Sequence, residues 1–455
     1  MVPQPRLRDR IDWLVVLGPI VAVCFAAGLG RHLLVAWPAL ATDPAFFQHT
    51  GWYVLEGGVP YVDVWDVNPP VPFGITAVLA ALSGGDMLVL HALGTTLTVL
   101  VAAVSVLLVG WVAYLVTETD AAAVAAGLTM LVVPELFLLS PEGVRAQFYA
   151  LFFGVLALAL ALRDRPFLSG AIAALSAGSW QLGGVFALLI VGMASQRSGR
   201  RGALSAVAGG GVVTGLVVLA FAAAGALVPL FVQTVVATLT AGSSYTVAER
   251  VYTILLVFGY GSLLLPVALY GWAYAGIRDV RERWWIPAGG LLLAAQVLFV
   301  DLDGSTDAFL WLAFVALGVA VAVERVTAGG SVPTDRRSDD ASRSIRRWTA
   351  VAVVAVIALL VLSGLAWHFG SPTSQSTLQT RQAVAEPESE SLPITPDDAD
   401  VPSMQTIYWE QIKPETCHYR LSWNEVRWIA MTDDRLDRRQ CDGWPRRIDS
   451  GYRSH

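Results

Sequence analysis

The chain has 455 residues, 55% hydrophobic and only 15% charged, with a formal net charge of −6. A soluble protein has about a quarter of its residues charged, so the composition excludes an ordinary soluble globular chain. The acidic balance gives no footing for nucleic acid. Lys413 is the only lysine, and together with a high Ala/Val content and an acidic tail this is the usage expected of a GC-rich, salt-adapted source.

Arg6, Arg8 and Arg10 precede the first apolar run, residues 13–37. That run is too long for a signal peptide and no small-residue cleavage pattern follows it, so it is expected to stay as a span. The runs 88–116, 203–227, 251–274 and 349–367 reach the roughly 20 helical residues that cross a hydrocarbon core. In lipid the backbone must satisfy its own polar groups, which makes such runs helices, and the short alternating segments of a membrane barrel are not seen. Residues 71–83 are too short for a comfortable crossing and read as a half-helix or a tilted entry. Residues 167–194 have arginines on both flanks and a polar break at Ser179, Trp180 and Gln181, so they read as a hairpin of two short helices. Gly209, Gly210 and Gly211, inside an apolar run, predict close helix packing. The fold class is therefore an all-α polytopic membrane bundle, with roughly 10 to 12 transmembrane helices at about 20 residues per crossing.

Short arginine-rich loops stay in the cytoplasm. Arg163/Arg165, Arg197/Arg200/Arg201, Arg278/Arg281/Arg283 and the loop from Arg325 to Arg347 carry this mark, while the loops at 43–66, 141–143, 225–249 and 301–307 are acidic or neutral. Together they predict a multi-pass cell-membrane protein with its N-terminus cytoplasmic and its C-terminus extracytoplasmic. Three regions follow: a transmembrane domain over 1–367 with a first outer loop at 38–70, a solvated linker over 368–402 that cannot bury a core, and a small outer cap over 403–455. Cys417 and Cys441 lie in the cap, where an oxidising compartment favours one disulfide, stabilising by about 3 kcal/mol. Two free thiols are the alternative, and Cys24, mid-span, reads as packing.

The first outer loop carries the chemistry. Asp43-Pro44 reads as a helix start with Asp43 as cap, and Gly57-Gly58 as its stop. The helix between sets Phe46, Thr50, Tyr53 and Val54 on one side and Gln48, Trp52 and Glu56 on another, as expected of a helix lying flat in the interface. Three carboxylates (Asp43, Asp63, Asp66) and His49 gather at the mouth of a hydrophobic bundle, able to serve as a general base or to bind sugar hydroxyls. The plainer reading gives Asp43 a capping role and makes the rest solvated charges.

The pattern Asp43…Gly57-Gly58-Val59-Pro60-Tyr61-Val62-Asp63-Val64-Trp65-Asp66-Val67-Asn68-Pro69-Pro70, directly after an arginine-led span, resembles the first outer loop of GT-C superfamily glycosyltransferases. The resemblance in organisation covers about the first 200 residues. The tail from Tyr408 to Trp423 resembles the C-terminal end of haloarchaeal dolichyl-phosphate-mannose mannosyltransferases. It implies a GT-C-like bundle that moves a sugar, mannose by the closer likeness, from a dolichyl- or polyprenyl-phosphate donor to a lipid- or protein-linked glycan. Acceptors such as an archaeal S-layer glycoprotein fall within that class. The implied transfer inverts the anomeric carbon, with Asp43 as general base. Many members have a second acidic residue directly after this position; here Pro44 stands there, which counts against an adjacent acidic pair. Asp63 and Asp66 become candidate sugar contacts. A leaving phosphate needs cations, and the outer-side choices are Arg31, His32, His49, Arg145 beside Glu142, and Arg250, with Tyr245 in a hydroxyl-rich loop over the lipid head. The plainer role for Arg145 is a turn-stabilising bridge to Glu142; Arg250 has the alternatives of pairing with Glu249 or anchoring a span at the headgroups. The six histidines show no zinc-type spacing. A divalent ion held by Asp43, Asp63 and Asp66 is conceivable, but no metal or other cofactor is expected. A transporter or lipid-linked sugar flippase is the competing class; those bind near the midplane through broken polar helices, and here the mid-span regions are nearly uncharged. A scaffold whose cap binds envelope components would leave the carboxylate loop unexplained.

Overall fold

The computed structural model describes residues 12–238, 246–300, 302, 304–328, 339–370 and 404–413, with side chains left undescribed at 328, 339–347 and 367–370. Among them the chain is helical, with a single isolated bridge between Pro60 and Val64.

Asp12 caps α1 (Trp13–Arg31) by accepting from Leu14 N at 3.0 Å, and the helix continues as a π-helical turn, His32–Ala36. After α2 (Thr42–Leu55) and α3 (Val71–Ser83), Asp86 caps α4 (Met87–Thr117) through Val89 N at 2.9 Å. Next come α5 (Asp120–Met130) and α6 (Glu135–Leu138), the latter running into a 3-10 turn, Ser140–Glu142; this pair is bent by 68°. Then follow α7 (Ala146–Leu162), α8 (Pro166–Ser179) and α9 (Gly184–Ala223), which is broken at Ser198 and Gly199. Further on lie α10 (Leu227–Phe231) with a second π turn (Val232–Ala237), α11 (Val247–Phe258), α12 (Leu264–Ile277), α13 (Trp285–Phe299), α14 (Phe309–Ala328), α15 (Asp339–Gly370) and α16 (Met404–Trp409).

The predicted hairpin is present. α8 ends at Ser179, Trp180 is extended, and the chain returns through α9 to Arg197, which donates to the Ala161 and Leu162 carbonyls and to Asp164. Glycine packing holds at two of the three predicted positions. A Cβ at Gly209 would collide with the Phe167 carbonyl, and one at Gly210 would press on the Gly170 carbonyl, while Gly211 faces open space.

By length and apolarity six described helices can cross a membrane, or seven if the bent α5–α6 pair counts as one. The higher figure from the sequence counts short apolar helices such as α7, α8 and α13, which fall below the length needed to cross unassisted. Residues 71–83 form a short helix packed on α2. One span, Ser305–Thr327, is enclosed by protein from 305 to 323, while Gln181–Ala223 and Trp348–Ala366 lie at the periphery with most of their surface free for lipid.

The bundle has two chemically distinct ends. At one, Arg283 pairs with Glu324 and donates to the Val116 carbonyl at 3.0 Å, Arg325 lies 3.9 Å over the Tyr274 ring, and Trp13 stacks on Tyr114. Burial alone would lower the Arg283 pKa, but Glu324 and Asp279 outweigh it and hold it above the usual value. The other end gathers α2, α3, the 3-10 turn at 140–142, the second π turn and residues 404–413. Helix α2 is covered by protein: Ala45, Phe47, Gln48, His49, Thr50 and Trp52 are all buried, because α3 and the tail pack on it. Helix α15 runs to Gly370, past the start expected for the linker. The remainder of the linker, the cap beyond 413, and Cys417 and Cys441 lie outside the described residues.

Candidate active site

Asp43 does not cap its helix. The N-cap is Ala41, whose carbonyl accepts from Ala45 N at 3.0 Å, so Thr42, Asp43 and Pro44 occupy the first turn. A carboxylate there is stabilised by the helix dipole, and it is free to reach sideways. It meets Arg145, Nη1 to Oδ2, at 2.8 Å, while Arg145 Nη2 holds Glu142 Oε2 at 2.8 Å. The Arg145 side chain is 14% exposed and the Asp43 side chain 55%, so a half-open carboxylate is held by a sunken cation. Burial works against the Arg145 charge, but Asp43, Glu142 and then Asp307 outweigh it and raise its pKa above the ordinary arginine value.

The local chain explains the geometry. Gly143 stands at φ 117°, ψ −160°, a conformation that favours glycine, and it breaks the 3-10 turn from α7 so that Arg145 points back at α2. A Cβ at Gly143 would lie 2.7 Å from Gln48 Nε2, and Gln48 itself donates to the Pro44 carbonyl at 2.9 Å. Thr95 Oγ1 donates to the Pro141 carbonyl at 3.0 Å and pins the turn to α4. Asp307 accepts from Gly304 N at 2.9 Å and from Gln147 Nε2 at 3.2 Å. The sequence gives it no prominence; its one local signal is the spacing from Gly304 that lets it cap the turn Ser305–Ala308.

The other candidates divide. Asp63 accepts from Val59 N at 2.7 Å and closes its own turn. Asp66 is buried, with its backbone N donating to Gln233 Oε1 at 3.0 Å and its Oδ1 accepting from Asn68 at 3.1 Å. His49 is buried against Trp52, and its Nε2 donates to the Ile412 carbonyl at 2.8 Å. Arg250 is buried at the far end of α13, where Nη2 donates to the Val300 carbonyl at 3.0 Å, and Glu249 is engaged with Thr246 in a capping box. Tyr245 lies outside the described residues. Thus Asp43, Glu142 and Arg145 are brought together, and Asp63, Asp66, His49 and Arg250 each serve a separate part of the frame. Among the described residues no three His, Cys, Asp or Glu side chains form a metal-holding group, and Asp43, Asp63 and Asp66 do not converge.

Gln233 escaped sequence reading, and Gln181 was read only as part of the polar break between two helices, although both fix the loop. Gln233 also donates to the Tyr61 carbonyl at 2.8 Å, and Gln181 donates to the Val67 carbonyl at 2.6 Å. Tyr61 is fully buried at φ 67°, a strained setting for tyrosine, held by its hydroxyl donating to the Asn68 carbonyl at 2.7 Å. Burial first, and the Asp66 charge second, push its phenol well above its usual pKa.

The described residues thus form a multi-pass helical bundle with short helices stacked over one end and an acidic first loop. The fold is similar to that of ArnT from Cupriavidus metallidurans, with a TM-score of 0.54 at 13% identity for the form bound to undecaprenyl phosphate, covering 82% of this chain and 75% of that one. For the apo form the TM-score is 0.50 at 14% identity with the same coverage. Residues 57–220 match the family model of DolP-mannose mannosyltransferase. The chain is also 28% identical, over 432 residues, to the dolichol phosphate-mannose mannosyltransferase of Haloferax volcanii, a match spanning 90% of this chain and 92% of that protein. The expectation of a membrane mannosyltransferase dependent on dolichyl-phosphate mannose is borne out by both matches.

Proposed function

We propose that this protein transfers mannose from dolichyl-phosphate mannose to a hydroxyl of a lipid- or protein-linked glycan, on the extracytoplasmic face, with Asp43 as general base. The observation that carries the reading is the placement of Asp43: half open at the end of the bundle opposite the arginine-rich one, beside the sunken Arg145. The acceptor oxygen attacks the anomeric carbon and its proton passes to the Asp43 carboxylate. The bond from that carbon to the phosphate oxygen breaks, its electron pair leaving on dolichyl phosphate, and the configuration inverts. Arg145 supplies charge-assisted contacts to the leaving phosphate, and Glu142 keeps the guanidinium aimed. In this reading no metal is required, since the leaving group bears a single phosphate and Arg145 is the cation that would meet it. Arginine retention supports the orientation, with the arginine-bearing end inside.

The test is Asp43→Asn in membranes supplied with dolichyl-phosphate mannose and a glycan acceptor. Loss of general-base help lowers transfer by about 10²- to 10⁴-fold while donor binding persists. Transfer at the wild-type rate removes Asp43 as the base.

A further inference from the structure

Ten residues from beyond the last span return to the helix that carries Asp43 and cross it along its length. Near its start, Gln405 Nε2 reaches Thr42 Oγ1 at 3.4 Å, one residue before Asp43. In its middle, His49 Nε2 donates to the Ile412 carbonyl at 2.8 Å, a link across 363 positions of sequence. At its end, Lys413 Nζ lies 3.1 Å from Glu56 Oε2. The same ten residues are moored to the neighbouring elements. The Tyr408 side chain is fully buried and its hydroxyl donates to the Met87 carbonyl at 2.5 Å, Gln411 donates to the Gly85 carbonyl at 2.9 Å, and the Trp409 ring stands edge-on to His91. Burial, with the Asp86 charge adding, keeps the Tyr408 phenol protonated.

We infer that residues 404–413 are a positioning strap for the reaction, and that His49 is the positioning residue through which the strap fixes helix α2 and hence Asp43. The inference rests on the proposed role of Asp43 as base. Helix α2 is 14 residues long and is separated from the first span by residues 37–41, which have no regular structure, so its first turn is not a continuation of that span. A carbonyl only accepts, so His49 must present a proton on Nε2. That donor joins the middle of α2 to the strap, and the imidazole is buried away from solvent competition. Reacting groups displaced by about 1 Å lose on the order of a hundredfold in rate, so a strap that only narrows the motion of α2 has a catalytic consequence. Its signature differs from that of a substrate contact: kcat falls and KM for the donor stays put.

The test uses the full chain in membranes with three variants. His49→Phe keeps an aromatic ring but cannot donate, His49→Gln restores a donor of similar reach, and a third chain ends at residue 403. The expected result for His49→Phe is a kcat lower by about tenfold or more with donor KM within twofold, recovery in His49→Gln, and faster amide exchange across residues 42–55 in both His49→Phe and the shortened chain. Because Lys413 is the only lysine, a carbodiimide cross-link to Glu56 reports directly whether the strap is seated, whatever the activity. Wild-type kcat and exchange in His49→Phe overturn the inference, as does failure to cross-link Lys413 to Glu56 in the wild-type chain. Asp43→Asn run alongside separates the two claims. Activity in that variant removes the base and the strap's catalytic purpose together, whereas an inactive Asp43→Asn with an unimpaired His49→Phe removes the strap alone. If the shortened chain does not fold, the two point variants and the cross-link still decide.

Discussion

Arg145 is the residue on which the candidate site turns. It holds two carboxylates at once, and a planar fork with several donors is what lets one side chain do so. Lysine at this position would present a point charge to one partner only. Arg145→Lys is therefore expected to weaken donor binding by about tenfold, and Arg145→Ala by more, since charged hydrogen bonds contribute about 1.5–3 kcal/mol each; titration of membranes with dolichyl phosphate checks both. Glu142→Gln leaves Asp43 as the guanidinium's one directly bonded carboxylate and is expected to raise donor KM less than Arg145→Ala does. The sequence showed Asp43, Glu142 and Arg145 as candidates because charged residues are rare in so apolar a chain. It did not show that Asp43 and Arg145, 102 positions apart, form a pair, since that distance is closed only when α2 folds over the start of α7.

At the scale of elements, the sequence was legible where periodicity or breaks are local. The hairpin at Ser179–Gln181, the stop at Gly57 and the close approach at Gly209 follow from residue type at one place. The burial of α2 was not legible, because an amphipathic helix covered by a distant tail looks the same as one lying on lipid. The same applies to the second π turn, Val232–Ala237, which is apolar apart from Gln233 and Thr234. Widened turns of this sort cluster at functional sites, and here the turn brings Gln233 to both the Tyr61 carbonyl and Asp66 N. Gln233→Leu removes two buried bonds that no solvent replaces, and each buried group left unsatisfied costs about 1–3 kcal/mol. The expected outcome is a lower melting temperature in detergent and a loop at 59–68 that becomes open to limited proteolysis.

For the whole molecule, the separation of charge between the two ends is legible in the order of residues alone, since arginine-bearing loops alternate with acidic ones along the chain. The proposed orientation predicts that a cysteine placed at Gly57, in a chain otherwise free of cysteine, reacts with an impermeant maleimide added outside sealed cells, and that one at Ser198 reacts only after the cells are opened. Reversed labelling removes the extracytoplasmic placement of Asp43. What the alternation did not reveal is how the spans are ranked. Residues 13–37 and 305–327 read as equally apolar, yet the first faces lipid over much of its surface and the second does not.

The enclosed helix at 305–327 has an implication for how the protein is made and how it can be divided. Its neighbours α4 and α5 are synthesised nearly two hundred residues earlier. Until this late helix emerges, the seam it will fill is lined by side chains suited to protein contact and bordered by membrane. The stretch 57–220, which the family model matches, is thus not a module that stands alone. A fragment ending there would lack the helix that α4 and α5 pack against.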